Sequence, residues 1–264
     1  WFQILDVDPG NAEALDALSE IFEKSKRWND LVGILERKAD RASDPAVKVG
    51  ILRRVTSIWI DDLSNFNKAV DPLEKILEIE PQNLEVIGRL KKIYEQRRAW
   101  EPLFALLERE ERLVAPEARK QHLETMASIA AERLGKHSEA IDLYWKVMEL
   151  DPGSEQVMAT IEKLCERQKR WEDLGRIMEA RLERVSDEAA RVPLLVKLGG
   201  VYGEQIGDDD RALGAWKRLL ALQPNHPKAL RILRETYGQK RDWESLTALF
   251  SESENWEGLA DVLG

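Results

Sequence analysis

DPGSEQVMATIEKLCERQKRWEDL, residues Asp151 to Leu174, is the stretch that decides the fold. A proline interrupts the chain, apolar residues then fall at helical spacing, and Trp171 opens a further segment. Its skeleton, Pro152–Cys165–Trp171–Leu174, recurs as Pro9–Phe22–Trp28–Leu31, Pro81–Tyr94–Trp100–Leu103 and Pro224–Tyr237–Trp243–Leu246. Proline to tryptophan is 19 residues in all four copies, and successive copies are offset by 72, 71 and 72 residues. A long fixed period means that each unit packs on its neighbours and the chain grows as a stack.

Working outward, each proline cannot continue the helix before it and biases the preceding residue away from helical backbone. Asn11, Asn83 and Ser154 then offer N-caps, and Glu13, Glu85 and Glu155 place negative charge in the first turn. In the fourth copy Pro227 stands near the first helical position, which also suits a start. A first helix follows, with one apolar face through Leu15, Leu18 and Phe22 and its equivalents Ile87, Leu90 and Tyr94; Met158, Ile161 and Cys165; Leu230, Leu233 and Tyr237. After a polar turn, a second helix starts near the tryptophan.

Three hairpins of a second type alternate with these four. Their first helices carry Leu52, Val55 and Trp59; Leu123, Met126 and Ala130; Leu195, Leu198 and Tyr202. Their second helices carry Ala69, Leu73 and Ile76; Ala140, Tyr144 and Val147; Ala212, Trp216 and Leu219. The pattern predicts an all-α chain of about fifteen helices and seven hairpins, near 10–44, 45–81, 82–115, 116–152, 153–186, 187–224 and 225–264. Pro72 and Pro193 fall inside expected helices, which either start late or kink there. Trp256 and Leu259 read as the opening of one more tryptophan helix. The chain opens on Trp1 rather than methionine, and Trp1–Asp8 reads as the end of a repeat, so a single repeat array excised from a longer protein is expected.

These hairpins resemble tetratricopeptide repeats. Leu198-Gly199, Tyr202, Ala212, Trp216 and Pro224 follow that family's order, with one extra residue in the turn, and Met126-Ala127, Ala130, Ala140, Tyr144 and Pro152 follow it less completely. The tryptophan hairpins depart from it. Ser19, Lys91, Glu162 and Arg234 stand where the family has a small residue, and Leu31, Leu103, Leu174 and Leu246 where it has alanine. Looser helix packing is expected there. The resemblance implies an α-solenoid wound as a right-handed superhelix, with first helices lining a concave groove that holds a protein partner.

The totals exclude several functions. Charged residues are 34% of the chain, apolar ones 43%, and the net charge is −9. A phosphate-backbone binder shows a basic face, so the acidic balance disfavours nucleic acid. No apolar run reaches membrane-spanning length, so membrane insertion is not expected. Cys165 is the one cysteine and has no intrachain partner; it suits a reducing compartment, and a cytoplasmic location is expected. His122, His137 and His226 are scattered without metal-ligand spacing, and no phosphate loop, nucleophile elbow or His-Glu-x-x-His motif is present. No cofactor, metal or catalytic activity is expected.

Trp28, Trp100, Trp171 and Trp243 share one structural context and are read as locking their hairpins rather than stacking on a ligand. If the ring is buried, Trp171→Ala costs about 3–5 kcal/mol. The resemblance places groove positions at Glu13, Asp16 and Glu20; Arg53 and Ser57; Gln121, Glu124 and Ser128; Lys163 and Arg167; Gly200; Lys228 and Arg231. Ser57, Ser128 and Gly200 leave room for a ligand, and charge runs from acidic to basic along the sequence. Gly50, Gln121 and Pro193 replace the clamp that holds chaperone-tail carboxylates, so that activity is not carried over. The expected function is a non-catalytic scaffold of bacterial type, binding an extended or helical peptide segment of a partner protein, basic end toward Glu13–Glu23. Self-association is a second reading. RNA binding through Lys228, Arg231, Arg234, Lys240 and Arg241 is a third, which the net charge opposes.

Overall fold

The computed structural model describes residues 1–252, and among these there are fifteen α-helices and no β-strand. The chain divides into two compact units, Trp1–Gly135 and Lys136–Gly264. The first contains α1 (Phe2–Val7), α2 (Ala12–Lys24), α3 (Trp28–Arg41), α4 (Pro45–Ser57), α5 (Val70–Ile79), α6 (Leu84–Arg97), α7 (Trp100–Glu110) and α8 (Pro116–Ser128). The second contains α9 (His137–Leu150), α10 (Glu155–Gln168), α11 (Trp171–Leu182), α12 (Glu188–Gly200), α13 (Asp209–Leu222), α14 (Pro227–Lys240) and α15 (Trp243–Glu252). Within each unit a helix packs chiefly on the one before it and the one after it, which is the one-dimensional stacking of an α-solenoid. Trp256, Leu259 and the end of the 225–264 hairpin lie outside the described residues.

The proline linkers are built alike. Asp8, Glu80, Asp151 and Gln223 all leave the helical region in the same way, with φ of −127°, −118°, −136° and −135° and ψ of 91°, 75°, 80° and 85°. Asn11 and Asn83 cap the following helices, accepting from Ala14 N–H at 3.0 Å and Val86 N–H at 3.1 Å. Ser154 occupies the same place but makes no side-chain cap. In the fourth copy His226 is the cap, its Nδ1 accepting from Ala229 N–H, with Pro227 at the first helical position. Pro72 stands at the third residue of α5, so that helix starts late; Pro193 lies in the interior of α12.

Two recurrent turns set the hairpins. In the tryptophan hairpins the residue two before the tryptophan is left-handed: Lys26, Arg98, Lys169 and Arg241 have φ of 53° to 56°. The next N–H reaches back to Phe22, Tyr94, Cys165 or Tyr237 carbonyl, at 2.9, 2.9, 2.9 and 3.0 Å. This is the Schellman closure, and it fixes the six-residue spacing from that residue to the tryptophan. The other hairpins end their first helices in π-helical turns, Ile58–Asp62, Ile129–Arg133 and Val201–Ile206, followed by left-handed Ser64, Gly135 and Gly207. A π turn holds one residue more than an α turn. The extra residue relative to the tetratricopeptide pattern is therefore taken up at the end of the helix, ahead of the turn.

The core follows the predicted faces. Leu15, Leu18, Phe22, Ile87, Leu90, Met158, Ile161 and Leu233 are buried, as are Leu52, Val55, Trp59, Leu195, Leu198 and Tyr202 in the alternate hairpins. Gly199 shows why a small residue is needed there. A Cβ on it would lie 2.4 Å from the Trp216 ring, and Trp216 is fully enclosed. The hairpins are tetratricopeptide-like in this respect.

Two of the tryptophan hairpins solve the same contact differently. In place of a small residue, Lys91 on α6 reaches Glu110 on α7 at 2.7 Å. One period later Glu162 on α10 reaches Arg181 on α11 at 2.5 Å, the same two positions with the charges exchanged. Leu31, Leu103, Leu174 and Leu246 are buried beneath. The tryptophans themselves are half-buried at Trp28, Trp100 and Trp171, and Trp243 is 48% exposed. They are less enclosed than a fully buried lock requires.

Candidate functional site

In the first unit the structure brings Arg53 and Ser57 to one pocket of about 260 Å³ between α4, α5 and α6. Leu73, Ile76 and Val86 form its floor and are almost wholly buried. The rim is ionic. Arg53 lies 3.6 Å from both Glu80 and Glu85, and Arg89 lies 2.9 Å from Glu85. Ser57 Oγ donates to Asp61 at 2.8 Å, and Asp61 has no ion-pair partner among the described residues. Arg53 and Ser57 are one helical turn apart on α4, so both face the same way. The π turn directly after Ser57 carries Asp61 to the rim.

The remaining residues expected in a groove lie on separate first helices. Glu13, Asp16 and Glu20 are exposed on α2. Asp16 pairs with Lys38 at 2.5 Å and Glu20 with Lys24 at 3.3 Å, which neutralises part of the acidic end. Nearby Glu23 receives Arg54 at 2.6 Å. On α8, Gln121 is exposed, Glu124 lies 3.7 Å from Lys120, and half-buried Ser128 immediately precedes a π turn.

In the second unit Lys163 and Arg167 are exposed on α10. Gly200 precedes the third π turn, and a Cβ there would meet only Glu204, at 3.9 Å, so space is open beside it. Lys228 lies 3.8 Å from Glu204 and 5.5 Å over the Trp216 ring, and Arg231 lies 4.0 Å from Glu235. Lys240 pairs with Asp210 at 3.0 Å, so three of the basic residues assigned to an RNA surface already have acidic neighbours.

One electrostatic cluster of this unit ties helices together. Burial alone raises the Glu162 carboxyl, but Lys197 and Arg181 outweigh it and hold the group below its ordinary range. Lys197 also bonds Glu166, joining α12 to α10. Cys165 is fully buried, and burial pushes its thiol up to about 12, so it stays protonated at neutral pH. Among the described residues no group of three or more His, Cys, Asp or Glu side chains is placed to hold a metal ion, and no helix is long and apolar enough to cross a membrane.

Sequence reasoning identified Arg53 and Ser57 but not Asp61 or Arg89 as their companions. Asp61 reaches the pocket through a π turn, and Arg89 comes from the next hairpin. The only sequence trace of the first is the extra residue between helices.

No protein-family model matches this sequence, and no curated protein matches it. Among solved structures, YrrB, described as a tetratricopeptide protein with an unusual peptide-binding site, is 12% identical; 69% of this chain and 90% of that chain are covered, with a TM-score of 0.35. A tetratricopeptide protein from Parabacteroides merdae is 14% identical, covering 95% and 96%, with a TM-score of 0.32. PilF of Pseudomonas aeruginosa is 15% identical, covering 84% and 98%, also at 0.32.

Proposed function

We propose that this chain is a non-catalytic scaffold that binds an extended or helical segment of a partner protein along its first helices. The observation that carries this reading is the α4–α6 pocket, which opens an apolar floor at the positions where groove residues were expected. Peptide-binding grooves combine apolar pockets with a few polar groups. Glu13, Asp16 and Glu20 give α2 an acidic surface, and the partner's basic end lies there. A cytoplasmic location fits the single buried thiol.

The test compares capture of partner proteins by the full chain and by a variant with Glu13, Asp16 and Glu20 changed to lysine, followed by mapping of the bound segment. Capture of a segment that weakens at least about tenfold on charge reversal supports the reading. Equal capture by both chains removes the polarity, and failure to map any bound segment removes the groove.

A further inference from the structure

The ionic rim of the α4–α6 pocket selects for the sign of charge beside the bound side chain. Arg53 is engaged by Glu85 and by Glu80 just outside the pocket, and Arg89 by Glu85. Asp61 is the remainder. Its carboxylate is oriented by the Ser57 hydroxyl at 2.8 Å and has no ion-pair partner among the described residues. A hydroxyl orients a carboxylate without neutralising it, so of the two carboxylates that line the pocket, Asp61 and Glu85, Asp61 is the one without an ion pair among the described residues.

We infer that this pocket takes an apolar side chain of a partner segment, with a lysine or arginine of the same segment paired to Asp61. This rests on the scaffold reading above. The floor of Leu73, Ile76 and Val86 offers water no hydrogen bonds, so an entering aliphatic group displaces weakly held solvent. An ammonium or guanidinium within reach of Asp61 supplies the ion pair that this carboxylate lacks. An acidic neighbour would instead face Asp61 directly and would have to displace Glu85 from Arg89 to gain a partner. The acidic surface of α2, in the same unit, favours the same sign of partner.

The probe is a library of terminally capped dodecapeptides with leucine fixed at the centre, selected against the full chain and sequenced. Lysine or arginine within three residues of the leucine is enriched over glutamine and glutamate by about tenfold, equivalent to about 1.4 kcal/mol. Asp61→Asn, with helical content and melting temperature checked to be unchanged, removes that enrichment. Enrichment of acidic residues, or basic enrichment that persists in Asp61→Asn, overturns the assignment. Peptides that bind through Glu13, Asp16 and Glu20 with no dependence on Asp61 sink the pocket but keep the groove. A selection that yields no binder sinks both.

Discussion

Lys26, Arg98, Lys169 and Arg241 hold left-handed backbone at four equivalent turns, where glycine would be unstrained. Lys169 is exposed, and its side chain contributes nothing to the packing of the turn. Lys169→Gly is therefore expected to stabilise the chain by about 0.5–1 kcal/mol, read as a higher urea midpoint. A lower midpoint would mean that the lysine side chain holds the turn. Trp171 begins α11 with its ring half in water. Its truncation to alanine should cost about 1.5–2.5 kcal/mol, below the range for a fully enclosed ring. A loss near 4 kcal/mol would show the ring to be more enclosed in solution.

At the scale of the element, the exchange of Lys91–Glu110 for Glu162–Arg181 shows what replaces the small-residue contact. A long charged side chain spans the two helices of the hairpin and meets its opposite on the other. Glu110 is 15% exposed, so the pair is poorly screened, and Lys91→Glu leaves two carboxylates facing each other. That substitution should cost about 1–3 kcal/mol, and adding Glu110→Arg should recover most of it. Additive losses in the double variant would refute the bridge. His122 makes this a stringent test, because its Nδ1 also lies 3.7 Å from Glu110 and its Nε2 3.0 Å from Leu107 carbonyl.

For the whole molecule, the relevant variable is acidity. Net charge is −9, and several carboxylates are held by cations or by N–H and O–H donors within the fold. Glu162 lies below its ordinary value because Lys197 and Arg181 overcome the effect of burial. Hydrogen bonds from Arg211 lower Glu172, the backbone N–H and side chain of Arg211 lower Asp208, and the Ser245 hydroxyl and N–H lower Asp242. A carboxyl with a depressed folded value contributes stability that is present above its unfolded value and lost as pH falls through the folded one. The unfolding midpoint should thus be flat near neutrality and drop as pH falls below about 4.5 for the glutamates and 3.8 for the aspartates. Glu162→Gln should flatten part of that drop; an unchanged acid limb would remove Glu162 from the explanation.

The sequence by itself determined the period, the helix class, the proline stops and the buried faces. Each depends on local backbone limits or on which side of a helix is apolar, and both repeat along the chain. Leu198-Gly199 and Trp216 even announced the tight contact that a Cβ would prevent. Tertiary structure alone decided the rest. The π turns were hidden because an extra residue in a loop and an extra residue in a helix end have the same length. Trp28, Trp100 and Trp171 proved half-buried and Trp243 exposed, because composition does not say how far a ring is covered. The pocket joins Arg53, Ser57 and Asp61 to Arg89 of the following hairpin. Residues so distant in sequence meet only because stacking sets the offset between hairpins, and that offset is a property of packing, not of any one repeat.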